Sequence, residues 1–181
     1  IKKYKPKALQ LVHVYGYPAR DTIKICKLCK KYNIYVIEDA SESLGAEIDN
    51  KKIGSFGEVS IFSTRSEKMI GVGEGGIIST DNSLLFKKIC RLASRNAPYR
   101  GKKDSYWKKY YALGEGYNYL MPHLLGAVGR AQVEKFNSNT LVKKRKVGKL
   151  YRKYFNENTK FYLTQKLLKN HKISFWLNSV F

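Results

Sequence analysis

Two short apolar runs separated by a helical stretch constrain this chain more than any other feature. Ala8 to Val14 carries Leu9, Leu11, Val12 and Val14, the pattern of a strand with β-branched residues. The turn Gly16-Tyr17-Pro18 stops it. From Asp21 to Tyr32, the apolar residues Ile23, Ile25, Cys26 and Cys29 predict one helical face, with Asp21 placed to cap it. Ile34 to Ile37 reads as a short buried strand that runs into Glu38-Asp39. Strand, helix, strand in this order is a βαβ unit, because the chain needs a crossover before it can lay down a second strand in the same direction. An α/β fold with a parallel sheet follows, with acidic residues at a strand's carboxyl end. Open sheets of this class bind ligands at those ends.

The rest of the chain continues the pattern. Val59 to Phe62 predicts another short strand, followed by a polar stretch through Lys68 and a glycine-rich loop, Gly71 to Gly76. Strand character resumes from Ile77 to Thr80. Ser83 to Arg95 is helical, with Leu84, Leu85, Ile89 and Leu92 on one face. A loop rich in Tyr, Lys and Gly spans Asn96 to about Asn118, and Pro122 opens a helix carrying Leu125, Val128, Ala131 and Val133. A long basic helix is expected from Asn139 to Phe155, and the end, Lys166 to Phe181, is too short to close a further domain.

Composition excludes several classes. A hydrophobic content of 43% and an aromatic content of 13% do not fit a disordered chain, and 181 residues suit one domain. No uncharged apolar run approaches the roughly 18 to 20 residues of a membrane span. The chain opens on Ile1 with no signal-peptide pattern, so an upstream segment is expected to be missing. Three cysteines, Cys26, Cys29 and Cys90, are too few for a disulfide framework, which makes a reducing, cytoplasmic setting the default. The net charge of +21 would suit nucleic acid or anionic small substrates. Its only dense run, Lys143-Lys144-Arg145-Lys146 followed by Lys149, Arg152 and Lys153, reads as a solvated helix face rather than a nucleic-acid site.

Several motifs reduce to structural readings. GVGEGG, residues 71 to 76, fits a dinucleotide fingerprint on paper, but a polar loop precedes it and strand-like residues follow, so the context is wrong. Cys26 and Cys29 form a C-x-x-C in the middle of an amphipathic helix, where they read as core residues, and no second pair of ligands completes a metal site. His13, His123 and His171 are isolated from one another and read as structural. The more informative set joins two strand ends. Asp39 ends one strand with Glu42 three residues on, and Ser63 ends another with Lys68 five residues on, just before the glycines. A lysine for a Schiff base, a carboxylate for a pyridine nitrogen, a hydroxyl for phosphate and glycines for close approach are the groups that pyridoxal phosphate needs. The same spacing also fits a surface lysine and an ordinary strand-end aspartate.

At these residues the sequence resembles the sugar aminotransferases of the DegT/DnrJ/EryC1 family. The matching stretches are VHVYGYPA (12–19), VIEDASESLGA (36–46), GSFGEVSIFSTRSEK (54–68), GEGGIIST (73–80), GYNYLM (116–121) and GRAQVE (129–134). The resemblance implies the central part of a fold type I large domain over residues 1–136, a mostly parallel sheet flanked by helices. It implies a linking helix and the start of an incomplete carboxyl-terminal small domain over 137–181. It also implies pyridoxal 5'-phosphate as cofactor and no metal. Lys68 takes the position of the Schiff-base lysine and acts as catalytic base and acid; Asp39 that of the aspartate on the pyridine nitrogen; Glu42 that of the residue beside the ring. Ser63 matches a phosphate-binding serine, and Asn118 an asparagine that reaches the phosphate from the other subunit of a homodimer. The implied reaction moves the amino group of L-glutamate to a nucleotide-linked 4-keto-6-deoxy sugar, in the synthesis of surface polysaccharide or O-antigen. Leu120 stands where relatives usually carry arginine. The family's amino-terminal phosphate-binding turn is expected upstream of Ile1. A degenerate relative without catalysis and a basic nucleic-acid module are the rival readings.

Overall fold

The computed structural model describes residues 3–97, 111–157 and 167–179. Its first three elements are β1 (Ala8–Val12), α1 (Thr22–Lys31) and β2 (Tyr35–Asp39). β1 and β2 lie parallel, with Val12 opposite Asp39, as the helical crossover requires. Ile25, Cys26 and Cys29 of α1 pack with Leu9, Leu11, Ile34 and Val36. Burial pushes the Cys26 thiol up to about 11 and raises Cys29 as well. Both stay protonated at neutral pH, which agrees with their reading as core residues. Asp21 does occupy the N-cap position, but its backbone (φ −107°, ψ 24°) is not the extended form that aims a side chain at the first turn. It makes no capping bond and meets Lys24 at 3.2 Å instead.

A hairpin of β3 (Glu47–Ile48) and β4 (Lys51–Lys52) precedes β5 (Val59–Ser63). β5 adds to β2 in parallel, with Asp39 opposite Ile61. β6 (Gly76–Ser79) then pairs with β5 antiparallel, because a loop and no helix joins the two. The main sheet therefore runs β1-β2-β5-β6. The glycine loop sits between antiparallel strands and leads into no helix, which bears out the rejection of a dinucleotide fingerprint. α2 (Ser83–Ala93) follows, capped by the Asn82 side chain on the amides of Leu84 and Leu85. α3 (His123–Glu134) starts after Pro122. The basic helix begins as a π-helical turn, Phe136–Thr140, so Asn139 belongs to that turn and α4 runs Leu141–Glu157. Among the described residues no helix is long and apolar enough to cross a membrane.

The chain's last described segment departs most from expectation. It returns to the body as β7 (His171–Lys172), antiparallel to β3 in a second sheet of order β4-β3-β7. Ile173, Phe175 and Trp176 are buried, and Trp176 joins Met69, Ile70, Val72, Phe136 and Leu141 in one cluster. The reading of α4 as a solvated basic face holds for Lys143, Lys146, Lys149 and Lys153, which are exposed, but two of its cations bind this segment. Arg145 donates through Nε to the Ile173 carbonyl and through Nη2 to the Gly45 carbonyl, both at 3.0 Å, and Lys144 Nζ donates to the Trp176 carbonyl at 3.2 Å. Gly16 accepts the Ser174 amide at 3.1 Å with φ at +89°. A Cβ on Gly16 would stand 2.6 Å from the amide nitrogens of both Phe175 and Trp176. Gly16→Ala is therefore expected to cost about 1–3 kcal/mol in urea denaturation and to release the 171–176 segment to proteolysis.

Two buried carboxylates tie these parts together. Glu38 alternates inward on β2, fully buried, and accepts from His13 Nε2 (3.0 Å) and from the amides of Gly54 (2.6 Å), Phe56 (2.8 Å) and Gly57 (3.1 Å). His13 Nδ1 accepts the Ala19 amide at 2.9 Å, so the neutral ring carries its proton on Nε2 and donates to Glu38. This agrees with a structural reading of His13. Burial pushes the Glu38 carboxyl up, but the bonds from His13 and the three amides outweigh it and hold it below the usual range. Glu47, also buried, meets Lys52, Lys172 and Arg145. The hydrogen bonds from Lys52 and Lys172 hold its carboxyl low against the opposing effect of burial.

Both groups are more acidic folded than unfolded, so in acid the unfolded chain binds more protons than the native one. Their stabilisation is complete above the ordinary glutamate value of about 4.3 and is lost as the pH falls through the lower folded values. Thermal melts across the acid range are expected to show Tm falling with pH, and a shallower fall in Glu47→Gln. An unchanged slope in that variant would contradict this assignment.

Candidate active site

β2 and β5 are neighbours in the sheet and run the same way, so their carboxyl ends bring Asp39 and Ser63 to one edge. Asp39 accepts from Gln10 Nε2 at 2.9 Å and from the Ser41 amide at 3.1 Å, which fixes the carboxylate at the strand end. The turn after β2 carries Glu42, whose Oε2 accepts the Tyr15 amide at 3.1 Å. Its Oε1 lies 3.3 Å from Lys68 Nζ.

Lys68 stands in the turn after β5. That turn is held by the Thr64 amide on the Gly75 carbonyl (3.0 Å), the Ser66 amide on Gly73 (2.9 Å) and the Lys68 amide on Arg65 (3.0 Å). Gly71 lies so close to Ser66 that a Cβ would fall 2.3 Å from its carbonyl oxygen, so the loop needs glycine there. Gln132 of α3 clamps Gly71 by accepting its amide and donating to its carbonyl. The result is a rigid platform for Lys68, whose side chain is only 10% exposed.

Three groups meet at the Lys68 amine. Glu42 is the nearer carboxylate, Glu67 lies at 3.9 Å, and the Trp176 ring centroid lies 3.6 Å from Nζ. Trp176 in turn donates through Nε1 to the Glu67 carbonyl at 2.8 Å, and its ring meets that of Tyr15 at 6.0 Å. Trp176 was not legible as a site residue, since it lies 108 positions beyond Lys68 in a segment with no motif. Its adjacency to Phe175 in an apolar run was the only available signal, and that signal indicates burial rather than chemistry.

Ser63 Oγ accepts the Arg65 amide at 3.3 Å and keeps its own proton available. Thr64 Oγ1 is buried beside the loop and has no hydrogen-bond partner among the described residues. Asn118 does not join this group. It is exposed on the segment before α3, bridged to Ser94, and its side chain makes no hydrogen bond to Asp39, Glu42, Ser63 or Lys68. The assembled set is thus a partly buried amine between carboxylates and an indole face, a fixed carboxylate on the adjoining strand end, and two hydroxyls. Such a set can present an amine to a carbonyl, hold a cationic ring nitrogen and donate to an anion.

The sequence model of the DegT/DnrJ/EryC1/StrS aminotransferase family matches residues 1–181. The chain is 34% identical over 152 residues to GDP-perosamine synthase of Escherichia coli O157:H7, covering 84% of this chain and 39% of that protein. Among solved structures it is similar to PseC of Helicobacter pylori, an aminotransferase involved in the biosynthesis of pseudoaminic acid (TM-score 0.83, 30% identity, 96% of this chain and 45% of that one). It is also similar to the E. coli GDP-4-keto-6-deoxy-D-mannose-3-dehydratase with bound hydrated PLP (TM-score 0.81, 25% identity, 97% and 46% coverage). The chain spans less than half the length of each of these proteins.

Proposed function

Because the chain belongs to the DegT/DnrJ/EryC1/StrS aminotransferase family, we propose that it carries the central part of a pyridoxal 5'-phosphate-dependent enzyme. The enzyme moves the amino group of L-glutamate to a nucleotide-linked 4-keto-6-deoxy sugar, with GDP-linked sugars the first to test. The observation that carries this reading is the Lys68 amine, held 3.3 Å from Glu42 at the sheet edge where Asp39 and Ser63 end their strands. The donor set fits the cofactor, and the orphaned hydroxyl of Thr64 beside Ser63 leaves a buried donor free for an anion.

When bound, the cofactor supplies a carbonyl that condenses with amines and a protonated ring that withdraws electrons. Lys68 would present the amine and take the proton from the amino acid's α-carbon as base, then return it as acid. Asp39, fixed by Gln10 and Ser41, accepts from the ring nitrogen and keeps it protonated. Ser63 and Thr64 donate to the phosphate, and Glu42 positions the lysine beside the ring. A lysine at position 68 favours amino transfer over the dehydration chemistry of the family's other branch, where a histidine takes its place. Asn118 is exposed, as a residue offered to the phosphate of a second subunit would be. Residues 1–136 then belong to the cofactor-binding domain, and 137–181 to the linking helix and the start of the small domain.

The test is to supply pyridoxal 5'-phosphate, L-glutamate and a GDP-linked 4-keto-6-deoxy sugar, and to follow the nucleotide sugar by mass spectrometry. The expected product is the 4-amino sugar nucleotide with 2-oxoglutarate in equal amount. Cofactor binding with no glutamate consumed would contradict the amino-donor assignment.

A further inference from the structure

Trp176 reaches Lys68 from the far end of the chain, and everything around it serves to hold it there. β7 pairs the segment to β3, Arg145 and Lys144 bind the carbonyls of Ile173 and Trp176, and Gly16 takes the Ser174 amide. The indole N–H is anchored on the Glu67 carbonyl, one residue from Lys68 itself. Trp176 is only 7% exposed, with Met69 and Ile70 among its cluster partners. Its π face therefore has one fixed orientation, and the Lys68 ammonium sits over it at 3.6 Å from the centroid. An ammonium desolvated to this degree gains from the ring's negative face.

We infer that Trp176 is the positioning residue for Lys68: its ring face, with Glu42 alongside, is the rest position of the lysine amine whenever that amine is not bonded to cofactor. This rests on the proposed function, and it supplies what that function lacks. In amino transfer Lys68 would give way to the substrate amine and would have to stay within reach to move the proton. A lysine stem has four rotatable carbons and loses reach easily. A fixed indole face and a carboxylate give the released amine one defined position at the sheet edge. Trp176 touches neither the reacting bond nor the substrate in this role. It acts through Lys68.

The test reads the rest position directly, in the full chain without cofactor. Acylation of Lys68 by a small activated ester is followed by peptide mass spectrometry and normalised to Lys24, whose side chain is 85% exposed. The amine must leave the ring face to react. Trp176→Leu is expected to raise the Lys68 rate about three- to tenfold, and Trp176→Phe, with its weaker ring, to lie between. Cys29, 1% exposed, must stay unreactive to an alkylating agent in each variant, which reports an intact fold.

Should Trp176→Leu fail that control, fluorinated tryptophans replace it. In a Trp107→Phe background position 176 holds the only indole, and successive fluorines weaken the ring's negative face with almost no change of shape. Lys68 acylation is expected to rise stepwise with fluorine number. A rate that ignores both the substitution and the fluorines overturns the contact. A graded response, together with a wild-type chain that takes up no pyridoxal phosphate, overturns the proposed function, and with it the role of the contact in amino transfer.

Discussion

Glu38→Ala is expected to cost about 3–5 kcal/mol, enough to remove much of the stability of a domain this size. The carboxylate is fully buried and takes four hydrogen bonds, one from His13 and three from the amides of Gly54, Phe56 and Gly57. Alanine leaves all four donors without their carboxylate partner, and each donor that stays unpaired carries its own desolvation cost. Glu38→Gln keeps one acceptor but turns an N–H₂ toward N–H donors, so it falls between wild type and alanine. Urea denaturation followed by circular dichroism measures this, and a midpoint shift worth less than about 1 kcal/mol would contradict the network. The consequence reaches the site, because Glu38 precedes Asp39 and His13 precedes the turn that supplies Tyr15 to Glu42. A loosened Glu38 displaces both carboxylates of the proposed cofactor site.

The second large effect is on chemistry. Lys68→Ala is expected to lower the rate of the glutamate half-reaction by about 10²–10⁴-fold or more, since it removes the amine assigned to move the proton. The turn's backbone bonds do not involve the side chain, so the fold is expected to survive. Stopped-flow absorbance of the cofactor on mixing with L-glutamate measures the rate, and partial recovery by added small amines would mark the loss as chemical. A Lys68→Ala chain that processes glutamate at near the wild-type rate would remove the lysine from the mechanism.

What was legible in the sequence was local. The βαβ unit follows from periodicities within about thirty residues, and the chain obeys them because a helical crossover permits only a parallel pair. Asp39, Glu42, Ser63 and Lys68 were found because strand ends and short spacings put them together, and the family resemblance gave each a role. Four things were hidden because long-range packing decides them. Glu38 looked like half of an acidic pair, yet strand alternation turned it inward while Asp39 stayed at the edge. Arg145 and Lys144 looked like part of a solvated face, although the carbonyls they bind lie 28 and 32 residues away. β7 is two residues long and exists only because β3 offers it an edge. Trp176 owes its place over Lys68 to all of these, so no local pattern could announce it.

The central claim is that this chain organises a pyridoxal phosphate site around one lysine. The most direct measurement is borohydride reduction of the chain mixed with pyridoxal 5'-phosphate, with peptide mass mapping beside Lys68→Ala. The account predicts a visible absorbance band before reduction and a reduced adduct confined to Lys68, in a chain with 27 lysines in all. Adducts scattered over many lysines, or an adduct pattern unchanged in Lys68→Ala, would contradict it.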